Sequence, residues 1–149
     1  MRNVQEAFSA HHRDCDEALA AVEKRLIAKS DCDQDFARFR RMLEGHFDAE
    51  EQILFPALEA AFPSGSAPVS VMRSEHTQAR ELCEEVQSLI RAGDHAQAAK
   101  AVDLLFSMLQ SHNIKEEQIL YPMCDRYLRG RGDDIARALA QLVTPSAAA

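Results

Sequence analysis

An eleven-residue phrase is written twice in this chain: HFDAEEQILFP from His46 to Pro56, and HNIKEEQILYP from His112 to Pro122. Seven of the eleven positions are identical, and each copy sets a His four residues before a Glu. Both copies sit inside an apolar pattern of helical period. The fold must therefore place the same polar pair twice, on helix faces whose other positions belong to a core.

The period is helical from end to end. Phe8, His12, Cys15, Leu19, Val22 and Leu26 recur at steps of three and four, and Asn3 with Glu6 suggests a capping box at the start. SDCDQ breaks that pattern. A second stripe then carries Phe36, Phe39, Leu43, His46, Glu50, Ile53 and Ala57, and PSGSAP closes it as a loop. Pro68 suits the first turn of a third helix, whose stripe is Val69, Met72, His76, Ala79, Cys83, Val86 and Ile90, with Gly93 as its stop. Asp94 and Gln97 can cap a fourth, bearing Leu105, Met108, His112, Glu116, Ile119 and Met123. A short fifth helix is expected over about 133–143, with Ile135, Leu139 and Leu142 on one side, and the tail TPSAAA is expected to fray. No segment reads as a strand.

Four long amphipathic helices with short connections predict an all-α fold, an antiparallel up-and-down four-helix bundle over about 4–128 with a short C-terminal helix. Residues 1–149 form a single domain on this reading. Pro56 and Pro122 should each kink or end their helix. His12 and His76 stand 64 residues apart and His46 and His112 stand 66 apart, so the bundle reads as two related helical hairpins.

Residues four apart share a helix face, so His46 with Glu50 and His112 with Glu116 point inward. His12 and His76 interrupt the apolar stripes of the other two helices. At about 1.5 Å of rise per residue, all six fall within roughly one helical turn of a common level. Burying two carboxylates among imidazoles is costly unless something satisfies them. A pair of transition-metal ions does so, and imidazole with carboxylate suits iron, although ligand type alone leaves zinc and manganese open. Four imidazoles and two bridging carboxylates supply eight bonds. A bridging oxo or hydroxo adds two, which leaves one open position on each of two octahedral ions.

Composition sets the limits. The formal charge of −7 argues against nucleic acid and anionic membrane as partners, since both call for basic patches. No apolar run approaches a membrane-spanning length, and MRNVQEAFSAHH lacks the core of a signal peptide, so a cytoplasmic location is expected. The four cysteines, at 15, 32, 83 and 124, form no CxxC and are expected to be reduced and mostly buried, with Cys32 in its polar stretch as the exposed one. Pairing of two copies through the outer faces is compatible with the pattern, although no specific signal calls for it.

A His followed by HxxxE, twice over, resembles the hemerythrin-like, or HHE cation-binding, family, across nearly all of residues 4–128. The resemblance implies a non-haem di-iron centre with His12, His46, His76 and His112 as terminal ligands and Glu50 and Glu116 as bridges. Members of that family bind dioxygen or nitric oxide, sense oxygen or iron, or help to repair damaged iron centres. Oxygen carriers among them hold a second His one turn from that on the third helix, where this chain has Met72 and Arg80. Two equally open irons suit nitric oxide binding, redox sensing or peroxide chemistry better than reversible carriage. Capture of a small diatomic ligand is therefore the expected role, with a peroxidase-like activity or iron donation in iron–sulfur repair as the alternative. His11 is the alternative to His12 as ligand, but the stripe through Phe8, Cys15 and Leu19 selects His12. That leaves His11, like Glu51 and Glu117, as an expected supporting or solvated group. Tyr121, the counterpart of Phe55, is expected to pack, with a hydroxyl able to steer a bound ligand.

Overall fold

The computed structural model describes residues 2–144. Helix α1 spans Val4–Ile27 and α2 spans Asp33–Ala49. A π-helical turn, Glu50–Leu54, joins α2 to α3 (Phe55–Ala61), so that the three make one rod. A 3₁₀ turn at Pro63–Gly65 leads into α4 (Ser66–Arg91). The fourth rod repeats the second: α5 (His95–Lys115), a π-helical turn Glu116–Leu120, then α6 (Tyr121–Tyr127). Helix α7 (Gly132–Val143) lies across α1 and α2. Among the described residues there is no strand, and no helix is long and apolar enough to cross a membrane. The tail expected to fray lies, beyond Thr144, outside the described residues.

The ends of the helices follow local chemistry. The Asn3 side chain accepts a hydrogen bond from the Glu6 N–H (2.7 Å), half of a capping box; the Glu6 carboxylate meets the Asn3 side chain rather than its backbone. Asp94 accepts likewise from the Gln97 N–H at 3.1 Å. Gly93, with φ of +73°, takes the left-handed conformation that stops α4. Gly45 serves a different need: a Cβ there would fall 2.7 Å from the Leu142 carbonyl oxygen, so its bare backbone lets α7 lie directly on α2.

The two prolines neither end their rods nor simply kink them. Pro lacks an N–H and its ring presses on the carbonyl four residues back, so an undisturbed α turn is unavailable. Here the strain is taken up just before the ring. The Phe55 N–H bonds to the Glu50 carbonyl and the Tyr121 N–H to that of Glu116, five residues back instead of four. Each rod thereby absorbs one extra residue.

That insertion corrects the stripe drawn from the sequence. Ile119, expected inside, is 55% exposed, while Leu120 is 1% exposed; Met123 yields its core place to Cys124. In the second rod Leu54 and Leu58 are buried where Ile53 and Ala57 were expected. In every case the buried set has moved on by one position. Leu142 is also corrected: it is 38% exposed, and α7 packs through Ile135, Ala136 and Leu139.

Apolar packing divides into two clusters, with the polar groups in the layer between them. One holds Leu19, Val22, Phe36, Phe39, Val86 and Leu105. The other holds Phe8, Leu54, Phe55, Leu58, Leu120 and Tyr121 together with α7. All four cysteines are free and buried. Cys32, expected to be exposed, is 2% exposed. It sits at the start of α2, where its carbonyl accepts the Phe36 N–H and its side chain joins the core beside Leu26, while Asp31 turns to cap the Asp33 N–H.

Candidate metal centre

The six residues singled out from the sequence meet in one buried layer. His12 comes from α1, His46 from α2, His76 from α4 and His112 from α5; Glu50 and Glu116 open the two π turns. None is more than 5% exposed, and Glu50, His76 and Glu116 are wholly buried. Their donor atoms fall into two sets, each within 4.8 Å of one another: His12, His46, Glu50 and Glu116, and Glu50, His76, His112 and Glu116. The two carboxylates belong to both sets. Geometrically this is a pair of adjacent four-donor positions sharing two acids.

Behind each imidazole stands a second polar group that fixes its orientation. His12 Nδ1 meets Glu117 Oε2 at 2.7 Å, His76 Nδ1 meets Glu51 Oε2 at 2.5 Å, and His112 Nδ1 meets Glu75 Oε1 at 2.9 Å. A carboxylate accepting from Nδ1–H leaves the Nε2 lone pair aimed at the pocket and raises its basicity. Glu51 is itself held by a bidentate contact from Arg80 (2.9 and 3.1 Å), and Glu75 by Lys115. Arg80, one turn after His76, therefore anchors a carboxylate, while Met72, one turn before it, is 4% exposed in the core. The exception is His46, whose Nδ1 faces His11 Nδ1 at 2.9 Å. His11 is thus a buried partner of His46 rather than a surface group, and its ring stacks on that of His46 at 5.0 Å.

Electrostatics follow from this arrangement. Burial alone would depress His12, but the Glu116 and Glu117 carboxylates outweigh it and lift His12 to about 9. His76 also stands at about 9, with burial opposed by Glu50 and Glu51. His11, by contrast, falls to about 3 through burial and the neighbouring imidazoles of His46 and His12. Burial lowers His46 as well, against the pull of Glu50. Glu50, despite its burial, is held well below the carboxylate range by His46 and by hydrogen bonds from its neighbours.

Tyr121 is the residue whose part the periodicity understated. Its hydroxyl stands 2.7 Å from Glu50 Oε2, 3.0 Å from Glu116 Oε1, 3.1 Å from His12 Nε2 and 3.2 Å from His46 Nε2. At about 100° per residue, a side chain five positions after Glu116 would point roughly 140° away from it. The π turn removes most of that angle and brings the ring over the pocket. The signal in the sequence was the proline that closes each repeat, which demands a distorted turn before it. Glu75 left no such mark, because its reach across to His112 is a tertiary contact.

The donor set fits a metal pair on an observation internal to the molecule. Glu50 Oε1, Glu116 Oε2, His76 Nε2 and His112 Nε2 are fully buried without a hydrogen-bond partner, and among the described residues only Ser9 Oγ shares that condition. Buried polar atoms are rarely left so. Two imidazole nitrogens and two carboxylate oxygens turned on one another out of hydrogen-bond alignment are what a cation satisfies, and their chemistry suits iron.

A family model described as the hemerythrin HHE cation binding domain matches residues 3–124. The iron–sulfur cluster repair protein YtfE of Enterobacter sp. (strain 638) is 31% identical over 114 residues, which cover 68% of this chain and 52% of that protein. The chain thus matches about half the length of that relative. No solved structure matches.

Proposed function

The chain belongs to the hemerythrin HHE cation-binding family, and from that premise we propose that it is a non-haem di-iron protein that captures a small diatomic ligand, nitric oxide or dioxygen, for sensing, scavenging or storage. The observation that carries this reading is the pair of four-donor sets sharing Glu50 and Glu116 in a layer where no donor residue exceeds 5% exposure. His12 and His46 would hold one iron, His76 and His112 the other, and the two carboxylates both, with an oxo or hydroxo group as a further bridge. Iron held there would supply a change of oxidation state and an open coordination position. The chain's own part is to hold and to exclude. Glu117, Glu51 and Glu75 keep three imidazoles in the metal-binding tautomer. Phe47 stacks on His76 at 3.8 Å and Phe8 packs edge-on against His46, so bulk water and large substrates are kept away. A layer so closed suits a ligand of two atoms.

The test is metal analysis and an absorption spectrum of protein purified without oxygen. About two irons per chain are expected, with charge-transfer bands that shift on adding nitric oxide, dioxygen or azide. Replacing Glu50 or Glu116 with Ala should release at least one iron; both irons retained in each variant would count against shared carboxylates. A second reading, iron donation in iron–sulfur repair, is favoured by the likeness to the Enterobacter iron–sulfur cluster repair protein. Transfer of iron from the loaded chain to a cluster-depleted acceptor protein, with unchanged spectra on adding gases, would put it first. Turnover of peroxide with an electron donor would instead make the chain an enzyme.

A further inference from the structure

The two hairpins are related residue by residue, and the relation fails at two places in the polar layer. His12 corresponds to His76, His46 to His112, Glu50 to Glu116 and Glu51 to Glu117. By the same register His11 corresponds to Glu75 and Tyr121 to Phe55. Both departures act on the same metal position. His46 is backed by the imidazole nitrogen of His11, where its counterpart His112 is backed by the Glu75 carboxylate. Tyr121 places a hydroxyl among His12, His46, Glu50 and Glu116, whereas Phe55 places only ring carbon beside His76, at 5.7 Å between centroids.

Hydrogen bonding reports the outcome. A hydroxyl has one proton to donate, and with the Nε2 lone pairs turned to the pocket the four neighbours of Tyr121 compete for it. The imidazole nitrogens of His12 and His46 both have it as a partner. Among the described residues, the Nε2 atoms of His76 and His112 have no hydroxyl beside them and face Glu50 Oε1 at 3.1 Å and Glu116 Oε1 at 3.2 Å out of hydrogen-bond alignment. One half of the layer carries a hydroxyl among its donors; the other holds imidazole and carboxylate alone.

We propose that the two metal positions are unequal: the His76/His112 position binds iron tightly and first, and the His12/His46 position binds it weakly, because Tyr121 competes for its donors and His11 backs His46 less well than a carboxylate would. This rests on the di-iron reading and deepens it, replacing two equal irons with one resident and one exchangeable ion. A carboxylate behind a ligating imidazole is worth roughly 10–100-fold in affinity, and Nδ1–H of His46 lacks one. The weaker position is the one from which iron would leave, or at which an incoming ligand would meet a hydroxyl.

Titration of the metal-stripped full chain with ferrous iron under nitrogen, read by calorimetry and absorbance, tests this. The wild-type protein should take up two ions in steps separated about 10–100-fold. His46→Gln should keep the tight step and lose the weak one, and His112→Gln should lose the tight one. Tyr121→Phe, which makes the weak half resemble the other, should narrow the gap by about threefold to tenfold, the worth of one or two hydrogen bonds. His11→Glu should narrow it further where circular dichroism shows the helices intact. Two equal steps in the wild type, a tight step surviving His112→Gln, or a gap left unchanged or widened by Tyr121→Phe would each overturn the proposal; a widened gap would make the phenol oxygen a ligand. Uptake of fewer than two ions by the wild type would overturn the di-iron reading beneath it.

Discussion

One oxygen atom distinguishes Tyr121 from Phe55, and burial decides how much that atom weighs. A phenol at the surface trades hydrogen bonds with water. Sealed among two carboxylates and two imidazoles, its proton is held so firmly that its ionisation is pushed well above the usual range by burial and by Glu116 and Glu50. The cysteines show the same effect of burial. Burial pushes the Cys15 and Cys83 thiols from the ordinary value of 9.0 up to about 12. The sign follows: an acid whose folded value is raised keeps its proton in the fold and loses it in the unfolded chain. Their contribution is therefore complete below about pH 9 and is lost progressively as pH rises from 9 towards 12. His12 and His76, raised to about 9, should already make denaturant midpoints fall between pH 6.5 and 9. A further fall should follow above pH 9, and Cys15→Ala/Cys83→Ala should flatten that further fall, whereas an unchanged slope above pH 9 would refute the assignment. Iodoacetamide at pH 8 should leave both thiols unlabelled in the folded protein, as read by mass spectrometry. At this scale the sequence disclosed donor types and spacing, so His12 could be preferred over His11 from its neighbours Phe8 and Cys15 on one stripe. It did not disclose Glu75 or the His11–His46 contact, because an angular period on one helix says nothing of what a side chain reaches on another.

Among the elements, the long helices were readable because steps of three and four persist through each of them. The stripe of α1, from Phe8 to Leu26, is buried where the period put it, apart from the polar turns between. Past Glu50 and Glu116 the reading slipped by one residue in both rods. A constant step cannot represent a turn closed by a bond five residues back, and only the proline beyond it hinted at the change. Helix α7 was legible in extent but not in attachment, since its close approach to α2 depends on the missing side chain of Gly45 as well as on Ile135, Ala136 and Leu139. Gly45→Ala would bring a Cβ to 2.7 Å from the Leu142 carbonyl oxygen, a distance that backbone atoms must open. The expected cost is about 1–3 kcal/mol, as for overpacking in a core. Hydrogen exchange should accelerate across Asp133–Val143 while α4 and α5 keep their protection. Unchanged exchange in α7 would show that the contact carries no load.

For the molecule as a whole, the polar layer separates two apolar clusters and is stabilised only when its charges are matched. A cation that binds the folded chain and not the unfolded one adds about 2.7 kcal/mol at a hundredfold excess over its dissociation constant. For a domain of this length that corresponds to roughly 5–10 °C in melting temperature. Calorimetry of iron-loaded and chelator-treated protein should show that difference, and coincident melting curves would mean that the layer is content without metal. The bundle was readable at this scale from the doubled phrase and the register of its hairpins, while the inequality of the halves needed coordinates. The π turns carry a lesson for anyone copying this pocket. Transplanting six donors onto ideal straight helices would preserve the ligand geometry but leave position 121 out of phase, its phenol facing a neighbouring rod. The copy would be a symmetric trap for two ions, and whatever division of labour the natural layer has would be lost with one residue of length in each rod.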